Sequence, residues 1–325
     1  MKHLIFLLTF LLCLTTSFAQ SGQTWITNAS GVRARSAPAI TGEEVLRLPI
    51  GTILKQIDNE QPAAKVSEKN DFWYHVSLAN GKAGWIFGAF VVRFEEKNRG
   101  EIYQQIATAK LKIKDAGFAE WADLTRFLTA ATTEISERRL LAELELARLL
   151  ALQKAFEKIP VEKLEQPEFQ RFVKTYQANA AYSEPSGLWL VKSDLLWSLQ
   201  KKYADLPVAE NIAWAAANLP IPGECEDDDS CHMALLNMTL GRYLQLYPKG
   251  KHAVTALDKS IESLQGINEM MKHIQTPKGK SATDNQIRKD ALATGAKMRA
   301  NIAQVINPQK AKVLRLLAQY EKNYR

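Results

Sequence analysis

The apolar positions of this chain change rhythm twice. Leu4 to Leu14 is almost unbroken apolar sequence. Between Thr24 and Glu96 apolar and polar residues alternate in short runs, the period of a half-buried strand. Val32 to Ser36 alternates and breaks at Pro38, Glu44 to Leu48 ends at Pro49-Ile50-Gly51, and Thr52 to Ile57 resumes the alternation. Phe72 to Leu78 is rich in aromatic and β-branched residues. Asn80-Gly81 follows as a type I′ hairpin signal, and Gly84 to Phe87 starts the return strand. Five or so short strands in about 70 residues predict a small, strongly bent antiparallel barrel.

From Gly100 the period becomes about 3.6, that of an amphipathic helix. Ile102, Tyr103, Ile106, Ala109 and Ile113 form one stripe, and Trp121, Leu124, Phe127 and Leu128 another. Ser136 is a predicted cap for a helix that stops at Pro160. Its Leu140, Leu141, Leu144, Leu146, Leu149, Leu150 and Leu152 cover nearly every side, as in a central helix buried by neighbours. Asn307-Pro308 predicts the start of a last helix with Val313, Leu316, Leu317 and Tyr320 on one face.

The helical part contains an echo at an offset of 44 residues: Leu196, Leu199, Tyr203, Ala209 and Ala213 correspond to Leu240, Tyr243, Tyr247, Ala253 and Leu257. Each copy predicts a helix ending near a Tyr, a Pro-containing turn, and a second helix that opens on small residues. The segment Tyr243-Leu244-Gln245-Leu246-Tyr247-Pro248-Lys249-Gly250-Lys251-His252-Ala253 resembles the YLxxYPxGxxA turn of tetratricopeptide-like (TPR-like) repeats in exported bacterial proteins. Such pairs build concave partner-binding surfaces. A plain bundle without a groove is the competing reading.

The alternating segment has its own resemblance. Val32-Arg33-Ala34-Arg35-Ser36-Ala37-Pro38 is similar to the NVRSGPS opening of bacterial SH3 (SH3b) domains, and Pro49-Ile50-Gly51-Thr52 to their kG turn. Trp73-Tyr74-His75-Val76 and Asn80-Gly81-Lys82-Ala83-Gly84-Trp85-Ile86 resemble their WykV…nGktGWv hairpin. The match covers roughly a quarter of the chain. Ala37 stands where the family usually has Gly, and Asn59–Asn70 is a longer excursion that would flank the family's ligand groove. The resemblance implies recognition of cell-wall peptidoglycan or of a protein partner, with Trp73, Tyr74, Trp85 and Phe87 as candidate ligand-binding residues. Successive strand residues point to opposite faces, so Trp73 or Tyr74 belongs to the core. That these aromatics simply fill a small barrel is the alternative.

The first nineteen residues read as a secretory signal. Lys2 supplies the positive end, the apolar run is too short to span a bilayer, and Ser17 and Ala19 are small residues at a cleavage site before Gln20. Leu12, where a lipoprotein signal needs a small residue, speaks against lipidation at Cys13. The expected location is exported, either periplasmic or secreted. In that compartment Cys225 and Cys231 are expected as a disulfide, worth about 2 kcal/mol by chain entropy. Net charge is +7, and Thr276 to Arg325 carries 11 Lys or Arg against 3 Asp or Glu. These basic C-terminal helices could touch anionic envelope surfaces, or simply be solvated. No nucleic acid is expected, because the basic residues are not interleaved with aromatics.

Catalytic chemistry finds little support. Glu224 to Asp229 is acidic but lacks the EF-hand pattern and its turn glycine. Gly279-Lys280-Ser281 lacks the first glycine of a phosphate loop, since position 274 is Ile. His75, His232, His252 and His273 show no zinc-ligand spacing. A thiol peptidase needs a free Cys, and a paired-carboxylate glycosidase has no local pattern here. No cofactor and no metal are expected.

The expected fold class is α+β multidomain: a small SH3-like β-barrel, then an all-α helical domain of TPR-like pairs or a bundle. The plan is signal peptide 1–19, barrel 20–98 and helical domain 99–325, with helix-pair repeats at 195–219 and 236–264. The expected function is non-catalytic binding in the cell envelope. A cell-wall hydrolase, or a structural accessory protein without wall binding, is the alternative.

Overall fold

The computed structural model describes residues 22–226, 228–273 and 281–325. The signal-like segment lies outside them, as do Gly279 and Lys280 of the phosphate-loop echo. The chain forms two compact units, one ending at Glu95 and the other spanning Glu96–Arg325. It is mixed: antiparallel strands come first and helices follow.

The first unit holds β1 (Thr24–Thr27), β2 (Val32–Arg35), β3 (Glu44–Leu48), β4 (Ile53–Gln56), β5 (Ala63–Val66), β6 (Lys69–Ser77), β7 (Ala83–Phe87) and β8 (Val91–Arg93). That is eight strands rather than five or so. The additional ones, β1, β5 and β8, run three or four residues. The hydrogen-bonded path is β3-β2-β7-β6-β4-β1-β8, with β5 paired to β6 beside it. The ends of the path, β3 and β8, do not pair, so the sheet is not closed. Yet Leu48 of β3 and Val91 of β8 share one core with Leu54, Val76 and Ile86. Six strand spacings of about 4.8 Å would hold those edges about 29 Å apart in a flat sheet. The sheet therefore curls around a single core. Between β6 and β7, Gly81 takes φ +76°, which the hairpin turn requires.

The second unit opens with α1 (Arg99–Leu111), α2 (Phe118–Glu134) and α3 (Arg138–Glu157). In α1 the buried stripe is Ile102, Tyr103, Ile106 and Ala107. Ala109 and Ile113 are exposed, because the helix turns them away or ends before them. The cap of α3 is Glu137, not Ser136: its carboxylate accepts from the amides of Arg139 (2.8 Å) and Leu140 (3.0 Å). From Leu140 to Phe156 every residue of α3 is buried or half-buried. The helix packs against α1, α2 and the elements that follow, as the surrounding leucines demand.

Next come α4 (Pro167–Tyr176) and a hairpin of β9 (Ala180–Ser183) and β10 (Leu188–Val191). This hairpin corrects the all-α expectation for the second unit. Glu184-Pro185-Ser186-Gly187 is its turn, with Gly187 at φ +65°. Buried Gln153 of α3 accepts from the Val191 amide at 2.8 Å, which fixes the hairpin on the central helix.

The rest is α5 (Ser193–Lys202), α6 (Val208–Asn218), α7 (Asp229–Leu236), α8 (Arg242–Leu246), α9 (Ala253–Met270), α10 (Ala282–Asn301) and α11 (Gln309–Lys322). A π-helical turn, Asn237–Gly241, joins α7 to α8. Asn307 caps α11 by accepting from the Gln309 amide at 2.9 Å. The 44-residue echo falls on two helix pairs, α5 with α6 and α8 with α9. All of its positions are buried except Tyr247, which is half-buried.

Candidate functional site

The aromatic candidates of the first unit sit on β6 and β7, where alternation splits them between two faces. Tyr74 faces the main core and stacks on Trp25 with ring centroids 3.9 Å apart. Trp25 in turn donates its Nε1–H to buried Gln56 at 3.0 Å. Burial pushes the Tyr74 hydroxyl above its ordinary range. Trp73, Trp85 and Phe87 face the other way and form a second small core. The excursion expected to flank a groove instead supplies β5, whose Ala64 and Val66 pack on that cluster. All four candidates are therefore interior, with Trp85 the most exposed at 9 %. Beside them, Phe72 (44 %) and Ile57 (50 %) are exposed.

One polar device borders this cluster. His75 stacks on Trp85 at 4.6 Å, nearly parallel, and its Nδ1 lies 2.7 Å from Asp58 Oδ2. The imidazole beside Asp58 holds that carboxyl below the usual carboxylate range. The Trp73 Nε1–H, by contrast, is buried without a hydrogen-bond partner.

In the second unit, α1 and α6 flank α3 and leave a groove of about 440 Å³. Its floor is Leu146, Ala147 and Leu150 of α3. These are two of the leucines that exceed what one buried face of α3 needs, and both remain half-buried. Gln104 of α1 and Asn211 of α6 supply carboxamides to the rim. Thr108, Lys251 and Glu143 add the other polar groups of the lining. Glu143 Oε1 pairs with Arg139 at 3.3 Å, whereas its Oε2 is buried with no partner. A carboxylate oxygen removed from water without a donor is costly. Sequence reading passed over Glu143 because Glu is abundant and no local motif marks it. The surplus of leucines was the available signal.

The turn between the paired helices is tied by side chains. Tyr243 donates its hydroxyl to Glu210 Oε1 at 2.8 Å and accepts from the His252 amide at 3.2 Å. Burial and the Glu210 carboxylate push the Tyr243 hydroxyl far up. His252 stacks on Trp214 at 4.5 Å, and burial lowers its pKa. The Tyr243 hydroxyl both donates and accepts within the fold, so the turn reads as architecture.

Cys225 and Cys231 lie at disulfide distance, their Cα atoms 5.4 Å apart. In the acidic stretch they bracket, Asp228 caps α7 by accepting from the amides of Ser230 (2.9 Å) and Cys231 (3.1 Å). Buried Asp229 accepts the Tyr324 hydroxyl at 2.5 Å. Both carboxylates thus hold structure. Among the described residues, no three His, Cys, Asp or Glu side chains gather as a metal site. No helix among them is long and apolar enough to cross a membrane. No family model, curated protein or solved structure matches the chain.

Proposed function

We propose that this chain is an exported, non-catalytic binding protein of the cell envelope. In this reading the first unit is an SH3-like barrel of the bacterial type that contacts peptidoglycan or a peptide. The curled sheet around one core and the Asn80-Gly81 hairpin support it. Because Trp73, Tyr74, Trp85 and Phe87 fill the interior, contact on this unit falls to exposed neighbours such as Phe72 and Ile57. The disulfide-distance cysteine pair is compatible with an oxidising location.

The second unit is the partner-docking part, built from TPR-like helix pairs. The observation that carries the reading is the α1–α3–α6 groove, with its leucine floor, carboxamide rim and unpaired Glu143 Oε2. That lining suits a peptide segment: an apolar side chain on Leu146 and Leu150, backbone amides against Gln104 and Asn211, and a Lys or Arg toward Glu143.

Two assays with the full chain test this function. Incubated with purified sacculi, the protein co-sediments at low and moderate salt. In a gel containing wall substrate it clears nothing. A protein that stays in the supernatant overturns the wall contact, and clearing that one carboxylate substitution abolishes overturns the non-catalytic reading.

A further inference from the structure

A second groove lies on the helical unit, lined by α4, the turn before it and the β9–β10 hairpin, with a volume of about 560 Å³. It shares no residue with the α3 groove. The hairpin register sets Tyr182 directly opposite Trp189, so both rings stand on one face of the ribbon. Their centroids are 5.5 Å apart and inclined at 52°. Tyr182 is 42 % exposed, a large ring left open to water at the edge of a cavity. Trp189 is half-buried, its inner side toward Phe156.

Polar groups line the groove from α4 and the residue just after it. Gln170, Lys174 and Gln177 line the cavity, and their spacing of four and three residues puts them on one helix face. Gln170 donates through Nε2 to Glu165 at 2.7 Å, which orients its carboxamide before any ligand arrives. Leu164 and Val173 provide the remaining apolar surface.

A pyranose ring has complementary chemistry. Its C–H face packs on an aromatic face, and its equatorial hydroxyls pair with carboxamides, which both donate and accept, and with a carboxylate, which accepts. The cavity volume falls within the range for small-ligand sites. The apolar corner at Leu164 and Val173 accepts a methyl group, such as that of an acetamido substituent. A bound peptide helix would instead need a continuous apolar stripe, which four polar side chains interrupt.

We propose that this groove binds an oligosaccharide containing N-acetylhexosamine. Tyr182 and Trp189 form the stacking platform, and Gln170 and Gln177 receive the hydroxyl and acetamido groups. The site does not depend on the peptide groove or on wall contact by the first unit.

Calorimetric titration of the full chain with a β-1,4-linked N-acetylglucosamine tetramer tests it, with cellotetraose as the comparison. The tetramer binds saturably and more tightly than cellotetraose. Tyr182→Ala weakens it by about tenfold or more, Gln177→Ala weakens it several-fold, and Tyr182→Phe retains most of the affinity. Tyr182 is exposed, so Tyr182→Ala keeps the native circular dichroism even where Trp189→Ala does not. No saturable heat with the tetramer, equal affinity for cellotetraose, or affinity unchanged in Tyr182→Ala overturns the proposal. Uptake of an apolar peptide in place of the sugar overturns it as well. The ligand is soluble, so failure to bind sacculi in the assay above leaves this result readable on its own.

Discussion

Two tryptophans of the first unit show how neighbours decide what a residue contributes. Trp25 and Trp73 are both buried, at 8 % and 2 %. The indole N–H of Trp25 is bonded to Gln56, and that of Trp73 is not bonded at all. Trp25→Phe strands the Gln56 oxygen and is expected to cost about 1–3 kcal/mol. Trp73→Phe removes an orphan donor while shrinking the ring, so the two effects offset and the net change stays within about 1 kcal/mol. Urea denaturation of both variants checks the contrast; equal losses would refute it. A further residue-level test concerns Asp58, whose folded pKa is depressed by His75. A depressed carboxylate stabilises the fold above its unfolded pKa, and that gain fades as pH falls through the folded value. The stability difference between wild type and Asp58→Asn should therefore shrink on acidification below about pH 4. The effect is small, because the Asp58 side chain is 37 % exposed.

At the scale of elements, the paired helices depend on close approach at the Tyr243 turn. A Cβ on Gly250 would meet Glu210 Oε1 at 2.6 Å and the Tyr243 hydroxyl at 2.8 Å. Gly250→Ala is expected to push that hydrogen bond apart and lower stability by about 1–3 kcal/mol. Thermal unfolding followed by helical circular dichroism measures it, and an unchanged midpoint would contradict the account. This turn was legible in sequence because the Tyr before it and the small residue after it, Tyr203 and Ala209 in the first copy and Tyr247 and Ala253 in the second, recur with the echo. The long strands and α3 were legible for a similar reason: their periods persist long enough to be read. The short β1, β5 and β8 were not. β1 and β8 are held by pairing with strands distant in sequence, and β5 by a tight hairpin with β6, rather than by their own pattern. The β9–β10 hairpin hid inside a helical stretch, although Glu184-Pro185-Ser186-Gly187 marked its turn. The candidate site was legible only as a list of aromatics. Sequence alternation placed Trp73 and Tyr74 on opposite faces, but it could not show that β5 folds over the outer one. The α1–α3–α6 groove arises from helices far apart in sequence, and no local window contains it; the groove beside α4 lies within residues 164–189 but needs the hairpin that the helical reading missed.

At the scale of the whole molecule, the division at Glu95 separates a curled sheet from a helical unit with its own core. The Cys225–Cys231 link belongs to the second. Reduction, or Cys225→Ser with Cys231→Ser, should lower the stability of the helical transition by about 2 kcal/mol while leaving Trp25 emission in the sheet unchanged. Equal loss in both units would argue against that independence. The central claim is that the α1–α3–α6 groove holds a peptide of a partner protein. Photo-reactive residues placed in cells at Leu146, Leu150 and, as an outward control, Val254 of α9 test it most directly, with sequencing of the cross-linked peptide. The account predicts adducts at Leu146 and Leu150 to one partner segment that carries Lys or Arg beside an apolar residue. Those adducts fall sharply in Glu143→Gln. No adduct at Leu146, or the same adducts at Leu146 and Val254, would contradict it.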